Sequence, residues 1–578
     1  MSDTDEVPAF HKNERIKERS RALRGGISEG LLKVITGALT EDDTQLTKFH
    51  GIYQQDDRDL RAERGRKRME PAYSFMARLR IPGGRVTPVQ WLQLGEIARE
   101  RGNGTVRLTT RQTIQFHGII KGNLKAAIAA VNRSMLDTMA ACGDVNRNVM
   151  CSANPHASPA HADAMATAKA ISDGLLPRTR AWHEIWIDEE QVAGKEEVED
   201  PLYGRTYLPR KFKIAIAIPP QNDVDVFAHD LGLIAVVEDG RIAGYDVSIG
   251  GGMGMTHGEP DTFPRTGDII GYVPLAEAVA VSEAVAIVQR DNGNRYVRKH
   301  ARLKYTVEKL GVEGFKAKVE ERLGHPLAPA RAAGFTGQGD RLGWYESADG
   351  LQHYGLFIEN GRIHDMPGRA LLTGLRSIAE LNLGEFILTP NHNMVIAALK
   401  PEDRPTIEAA LARHGLDGGV SALRRNAMAC VALPTCGLAL AESERYLPDL
   451  VTVLEGVVGE AGLADEDIVI RSTGCPNGCA RPYMAEIALV GRGPGRYHLY
   501  LGGSFDGTRL NKLYRADVGH DAIVAALTPL LHEYAQQREP GEHFGDYVIR
   551  AGHIKATTAG NRFHADLDPA LTSGASAQ

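Results

Sequence analysis

The chain has 578 residues, with 67 Lys and Arg against 73 Asp and Glu, a formal net charge of -6. Its 43% apolar and 24% charged residues suit about four domain equivalents at roughly 150 residues each, and exclude a disordered or fibrous chain. No apolar run approaches the roughly 20 residues of a bilayer span, and the charged start, MSDTDEVPAFHKNERIKERSRALRGG, lacks a signal peptide's apolar core, so the protein is expected to be cytoplasmic, without a membrane partner.

Residues 1–70 are dense in charge and read as a solvated N-terminal arm wrapping the body. Beyond it, β-like and helix-like stretches alternate to about residue 555, and the small-residue end, 561–578, reads as a disordered tail. In FMARLRI, period-two alternation puts Arg78 and Arg80 on one strand face, with Phe75, Leu79 and Ile81 on the other. The stretch VRLTTRQTIQFHG sets Arg107, Thr109, Arg111, Thr113, Gln115 and His117 at alternate positions. KFKIAIAIPP does the same with Lys211 and Lys213, opposite Phe212 and Ile214. Each segment alone is an ordinary solvated face. Several in the same half of an acidic chain would converge on a cleft for an anion. The glycines of VSIGGGMG are not followed by a helix start, and no phosphate-binding loop is present, so no nucleotide site is expected.

Two halves repeat at an offset of about 280 residues: Gly84-Arg85-Val86 answers Gly361-Arg362-Ile363, Leu108-Thr109 answers Leu388-Thr389, and Arg147-Asn148-Val149-Met150 answers Arg425-Asn426-Ala427-Met428. The chain is therefore expected to be two related modules with a cofactor cleft between their facing surfaces. Of six cysteines, four fall in two tight pairs, Cys430 with Cys436 and Cys475 with Cys479. Four thiolates from two loops match a cubane iron–sulfur cluster. A Cys₄ zinc site is the alternative, poorly served by the C-x₅-C spacing. Zinc with basic strands would make a nucleic-acid binder, which the net negative charge and the lack of interleaved aromatics disfavour.

The strings FHGIYQQDDRDLRAERG, RLTTRQTIQFHGI, NRNVMCSANP, YLPRKFKIAIAIPPQND, MACVALPTCGLALAESERYLP and TGCPNGCARPYMAEIALVGRGPGRYHLYLGG resemble the siroheme-dependent sulfite and nitrite reductases, in particular the sulfite reductase hemoproteins, over about residues 45–550. The resemblance implies an α+β fold: two pseudo-symmetric modules with mixed sheets, at 142–339 (siroheme and substrate) and 417–560 (iron–sulfur and siroheme), plus a ferredoxin-like domain built from 71–141 and 340–416. It implies a [4Fe-4S] cluster on Cys430, Cys436, Cys475 and Cys479, with Cys479 also bridging to the iron of siroheme. It assigns the substrate anion to Arg78, Arg147, Lys211 and Lys213, and the carboxylate rim of siroheme, more loosely, to Arg107, Thr109, Arg111, Thr113, Gln115, His117, Asn146, Asn148, Lys304 and Asn477. Gly437 departs from the family's frequent proline without removing a ligand, and Cys151 reads as a structural thiol. The implied activity is six-electron reduction of sulfite to sulfide, with an NADPH-oxidising flavoprotein as electron donor. Reduced ferredoxin is the rival donor, and nitrite the rival substrate.

Overall fold

The computed structural model describes residues 9–178, 185–187, 190–193 and 199–567. It is an α+β protein whose four principal five-stranded sheets fall into two matched pairs. In the first pair, the strands Ile52–Asp56, Tyr73–Arg78, Ile114–Ile119 and Val106–Leu108 lie in that order, and Arg362–Ile363 from the other half of the chain closes the edge. The second sheet repeats the order with Gly343–Glu346, Gln352–Leu356, Met394–Leu399 and Glu385–Leu388, and is closed by Arg85–Val86. The two short strands are thus exchanged: Arg362 pairs with Arg107, and Val86 with Phe386.

A glycine at each crossing makes the exchange possible. A Cβ on Gly84 would stand 2.7 Å from Leu388 O, one on Gly361 2.6 Å from Leu108 O, and both backbones are left-handed, at φ 80° and 75°. The two sheets share one apolar core. Helix Pro88–Arg101 enters it through a capping box: Thr87 Oγ1 accepts from Gln90 N, Gln90 Oε1 accepts from Thr87 N, and a proline follows the cap. Its buried face, Trp91, Leu94, Ile97 and Ala98, has helical spacing and packs on helix Leu371–Glu380 of the other half.

The second pair of sheets is also matched. Met150–Cys151, Ile214–Ala217 and Leu231–Glu238 run parallel, and Arg241–Ile249 and Asp268–Pro274 continue antiparallel. Ala427–Ala429, Ile470–Thr473, Ile487–Gly493, Arg496–Leu501 and Lys512–Val518 repeat that parallel, parallel, antiparallel, antiparallel sequence. Helices Pro159–Gly174 and Ala278–Asn292 cover the first of these sheets, and Leu447–Glu460 and His520–Gln537 the second, each set with its own core.

The ends of the chain differ from the sequence reading. Strand Ile52–Asp56 falls within the 1–70 arm, yet it pairs along its length with Tyr73–Arg78. Helix Lys12–Glu18 is docked, not solvated: Ile16, Lys17 and Glu14 are buried. Lys17 Nζ contacts Glu14 and Leu208 O and lies 3.5 Å from Asp144, while Arg298 forks onto the same Asp144 at 2.9 and 3.0 Å. A buried charge is tolerated only when paired in this way. Of the anticipated tail, residues 568–578 lie outside the described residues. Before them Phe563 is buried against Tyr483 and Tyr500.

Candidate active site

Strands Ala427–Ala429 and Ile470–Thr473 are adjacent and parallel, so the loops that follow them leave the same end of the sheet. Those loops carry Cys430 to Cys436 and Cys475 to Cys479. Open parallel sheets place ligands at that end. Cys430 N donates to Ser472 O, and Gly474 N donates to Cys430 Sγ at 3.3 Å. Asn477 Nδ2 lies 3.4 Å from Cys475 Sγ. The four thiols are near enough to perturb one another. Burial and then Cys479 push Cys475 up to about 12, and push Cys430 higher still. Burial raises Cys436 as well, and thiols as hard to ionise as Cys430, Cys436 and Cys475 need a strong cation or a cluster to become ligands.

The glycine run of the first module packs against this turn. Met255 N donates to Pro476 O at 2.8 Å. A Cβ on Gly478, whose φ is +64°, would stand 2.8 Å from Met253 O. The run 250–254 therefore packs on the Cys475–Cys479 loop, in keeping with the reading that it is no nucleotide loop. Lys304 holds it there, with Nζ contacts to Gly252 O at 3.1 Å, Gly254 O at 2.8 Å and Phe263 O. The three contacts can take up all three N–H groups of Lys304, which was expected at the siroheme rim and here supports this loop.

Opposite the thiols lies a cluster of cations. Arg78 ends strand Tyr73–Arg78; its Nη1 lies 3.2 Å from Cys142 Sγ, and its Nε reaches the Gln115 oxygen at 3.1 Å when that amide is turned toward it. Arg147 donates through Nε and Nη2 to Gly143 O at 3.2 and 3.1 Å, and its charge is supported by the Tyr53 hydroxyl. Lys211 and Lys213 lie just before strand Ile214–Ala217, not within it. Between them Phe212 is buried in the core, and its backbone bonds Val145 and Arg147, so both lysines sit beside the Arg147 segment. Among the described residues neither ammonium has a hydrogen-bond acceptor or carboxylate in reach. Both lysine pKa values are driven well below the usual range. Burial is the first cause for each, followed by Lys213 and Arg210 for Lys211, and by Arg111 and Arg302 for Lys213. Cys479 acts the other way on Lys213, which places the two halves of the site face to face.

The segment 105–117 is a hairpin, not one strand. Val106–Leu108 pairs with Ile114–Ile119 so that Arg107 lies opposite Gln115, and cross-strand pairing keeps alternate residues on one face. Several of the side chains expected at the siroheme rim have protein partners. Arg107 is spent on Glu444 at 2.8 Å and on Ala429 O, Leu108 O. Asn148 accepts from Ile81 N and donates to Ile81 O and Arg111 O. Thr113 donates to Leu79 O, Thr109 Oγ1 accepts from Arg111 N, and His117, kept neutral by burial, lies between Gln55 and Gln115. Arg80 turns away, onto Asp137 and Asp173.

Asn146 Oδ1 and Arg111 Nε are buried with no partner, the condition of groups that await one. Arg111 Nε, a donor, with Lys211, Lys213 and the four thiols, fits an anionic cofactor joined to a cluster, whereas Asn146 Oδ1, an acceptor, calls for a donor. Sequence reasoning passed over Arg210, whose pKa burial lowers to about 9, Thr110, at an even position in the hairpin, and Arg481. The basic run PRKFK contained the signal for the first. Nothing local marks the other two.

The model of the nitrite/sulfite reductase ferredoxin-like half domain matches residues 67–134 and 345–414, the two strand-exchanged sheets. The model of the nitrite and sulphite reductase 4Fe-4S domain matches residues 166–327. That stretch is in the first module, which repeats the second's sheet without its cysteines. A sulfite reductase [NADPH] hemoprotein beta-component of Chromohalobacter salexigens is 58% identical over 96% of this chain and 98% of its own. The chain belongs to the nitrite and sulfite reductase family. A component of the same name from Methylobacterium radiotolerans is 59% identical over 96% of this chain and 90% of its own. The solved Mycobacterium tuberculosis NirA protein superposes on this family member with a TM-score of 0.76 at 26% identity, covering 94% of this chain and 97% of that one.

Proposed function

We propose that this chain is the hemoprotein component of an NADPH-linked sulfite reductase, reducing sulfite to sulfide with electrons passed on by a flavoprotein partner. The observation that carries the reading is a pair of lysines with no acceptor, beside two arginines and facing four clustered thiols, in a chain nearly 60% identical to components of that name. Cys430, Cys436, Cys475 and Cys479 would hold the [4Fe-4S] cluster, with Cys479 shared with siroheme. Bound there, the coupled pair would supply the electrons for reduction of an anion in the cleft.

The protein's own part is electrostatic. Arg78 and Arg147 are fixed charges, oriented by Gln115, Gly143 O and Tyr53 and suited to holding a sulfite oxygen through each departure. Lys211 and Lys213, whose positive charge burial disfavours, take up a proton as the anion enters and release it to an oxygen leaving as water. Arg111 Nε, buried without a partner, would be satisfied by a carboxylate of the cofactor.

The test is protein purified without air, with its visible spectrum, iron and acid-labile sulfide, followed by sulfide formation with NADPH and the flavoprotein, and with reduced ferredoxin. Isobacteriochlorin bands, iron above that of a cluster alone and turnover with the flavoprotein support the reading. A spectrum without haem bands overturns it, and turnover with ferredoxin alone overturns the donor.

A further inference from the structure

Two residues past Cys479, Arg481 is fully engaged. Its Nε contacts Asp225, Nη1 donates to Thr110 O at 2.9 Å, and Nη2 donates to Pro390 O at 3.2 Å and Asn391 Oδ1 at 3.0 Å. These partners come from the first module and from both ferredoxin-like halves, so one side chain of the second module joins every other unit of the fold. Asp225 also receives Arg471, at 2.6 Å, and Arg471 in turn donates to Arg481 O at 3.2 Å. Asp225 and Arg481 both have left-handed backbones, at φ 48° and 52°. Residues other than glycine hold that conformation only where their surroundings impose it. All three side chains are buried. On the other side of the turn, Thr110 Oγ1 donates to Cys479 O at 3.0 Å. The residue carrying Arg481's Nη1 acceptor therefore also grips the backbone of the cysteine.

We infer that Asp225, Arg471 and Arg481 are positioning residues that fix Cys479 relative to the first module, and so set the contact between the cluster and the siroheme side of the cleft. The inference rests on the proposed role of Cys479. The charges alone do not account for the arrangement, since one carboxylate against two guanidiniums leaves a surplus buried positive charge. The planar fork with five donors explains it, because a lysine could not span four acceptors in three directions.

The test uses holoenzyme carrying Arg481→Lys, Asp225→Asn or Thr110→Val. The readouts are kcat and KM for sulfite with a reduced viologen dye, and the Mössbauer signature of magnetic coupling between the siroheme iron and the cluster. Arg481→Lys is expected to keep the siroheme and iron content, to lose at least tenfold in kcat with KM within twofold, and to show weakened coupling. Asp225→Asn is expected to behave alike. Wild-type coupling and kcat in Arg481→Lys would overturn the inference, since charge without the fork would then suffice. Should the two buried variants fail to fold, Thr110→Val decides: it removes one partly exposed hydroxyl, and an unchanged signature and kcat overturn the inference. Absence of coupling in the wild type would instead sink the proposed function, and this inference with it.

Discussion

Lys213→Met should stabilise the siroheme-free protein and disable it as a reductase. The substitution keeps the length of the side chain and removes its charge. In the folded chain the ammonium is surrounded by Arg111, Arg302 and Arg147, with only Cys479 acting in its favour, and burial opposes it further. Holding the charged form there carries a cost relative to a free lysine, as the depressed pKa shows. Water in the cleft recovers part of that, and replacing unpaired buried charge by an apolar side chain returns about 1–3 kcal/mol. The sign follows from proton counting. Because the folded-state pKa is depressed, the unfolded chain binds a proton that the folded chain refuses, so the wild type gains stability as pH rises and the penalty disappears near the pKa of free lysine. The advantage of Lys213→Met should therefore be largest at pH 6 and shrink toward pH 10, measured by thermal unfolding across that range. Sulfite reduction by the holoenzyme should fall about 100-fold or more, the scale of a lost general acid. A less stable variant, or a gain that does not shrink with pH, would show that the ammonium has a partner in the folded chain and would refute the argument.

Cys479→Ser should abolish activity and haem bands together, checked by the visible spectrum and by iron content, because one sulfur is assigned to both groups. Lys304→Met should leave three carbonyls of the glycine run and Phe263 without their donor, costing about 2–4 kcal/mol in urea unfolding. Asp223 accepts from Ser152 Oγ at 2.7 Å, and burial, with Asp340 nearby, raises its pKa to about 7. Its folded pKa lies above the unfolded one, so stability is lost as pH rises from about 4 to 7. Asp223→Asn should remove on the order of 2 kcal/mol of that decline between pH 5.5 and 7.5 in thermal unfolding, and an unaltered decline would exclude this carboxyl as its source.

The duplication was legible because it is written in sparse constraints. Gly84 and Gly361 must each pass under a carbonyl of the other half, and no other residue fits there. The cysteine loops were legible for a like reason, since ligands cannot be exchanged for other residue types. The rim of the cleft was less so. The resemblance placed Arg107, Thr113 and Lys304 among plausible ligand holders, but which further groups each donor meets depends on residues hundreds of positions away, such as Glu444 for Arg107. Arg481 shows the limit most clearly. Its four partners lie in three distant segments, and nothing in CARP announces them. The N-terminal helix misled in the opposite way, since charges that read as solvated are buried in pairs around Asp144.

The exchanged strands have a consequence for the chain's history and for its assembly. Each ferredoxin-like sheet is completed by two residues from the other copy, so a single copy standing alone would expose an unfinished edge, the usual route to pairing with another molecule. The geometry that closes the two edges within one chain is that of two identical chains closing on each other about a twofold axis. Fusing such a pair makes association independent of concentration and frees one copy to lose what the other keeps, and here only one copy carries the four cysteines. It also means that neither edge can close until residues about 255 positions apart, for one sheet, and about 300 apart, for the other, have met, a loop closure that ties completion of the amino-terminal sheet to synthesis of the carboxy-terminal half.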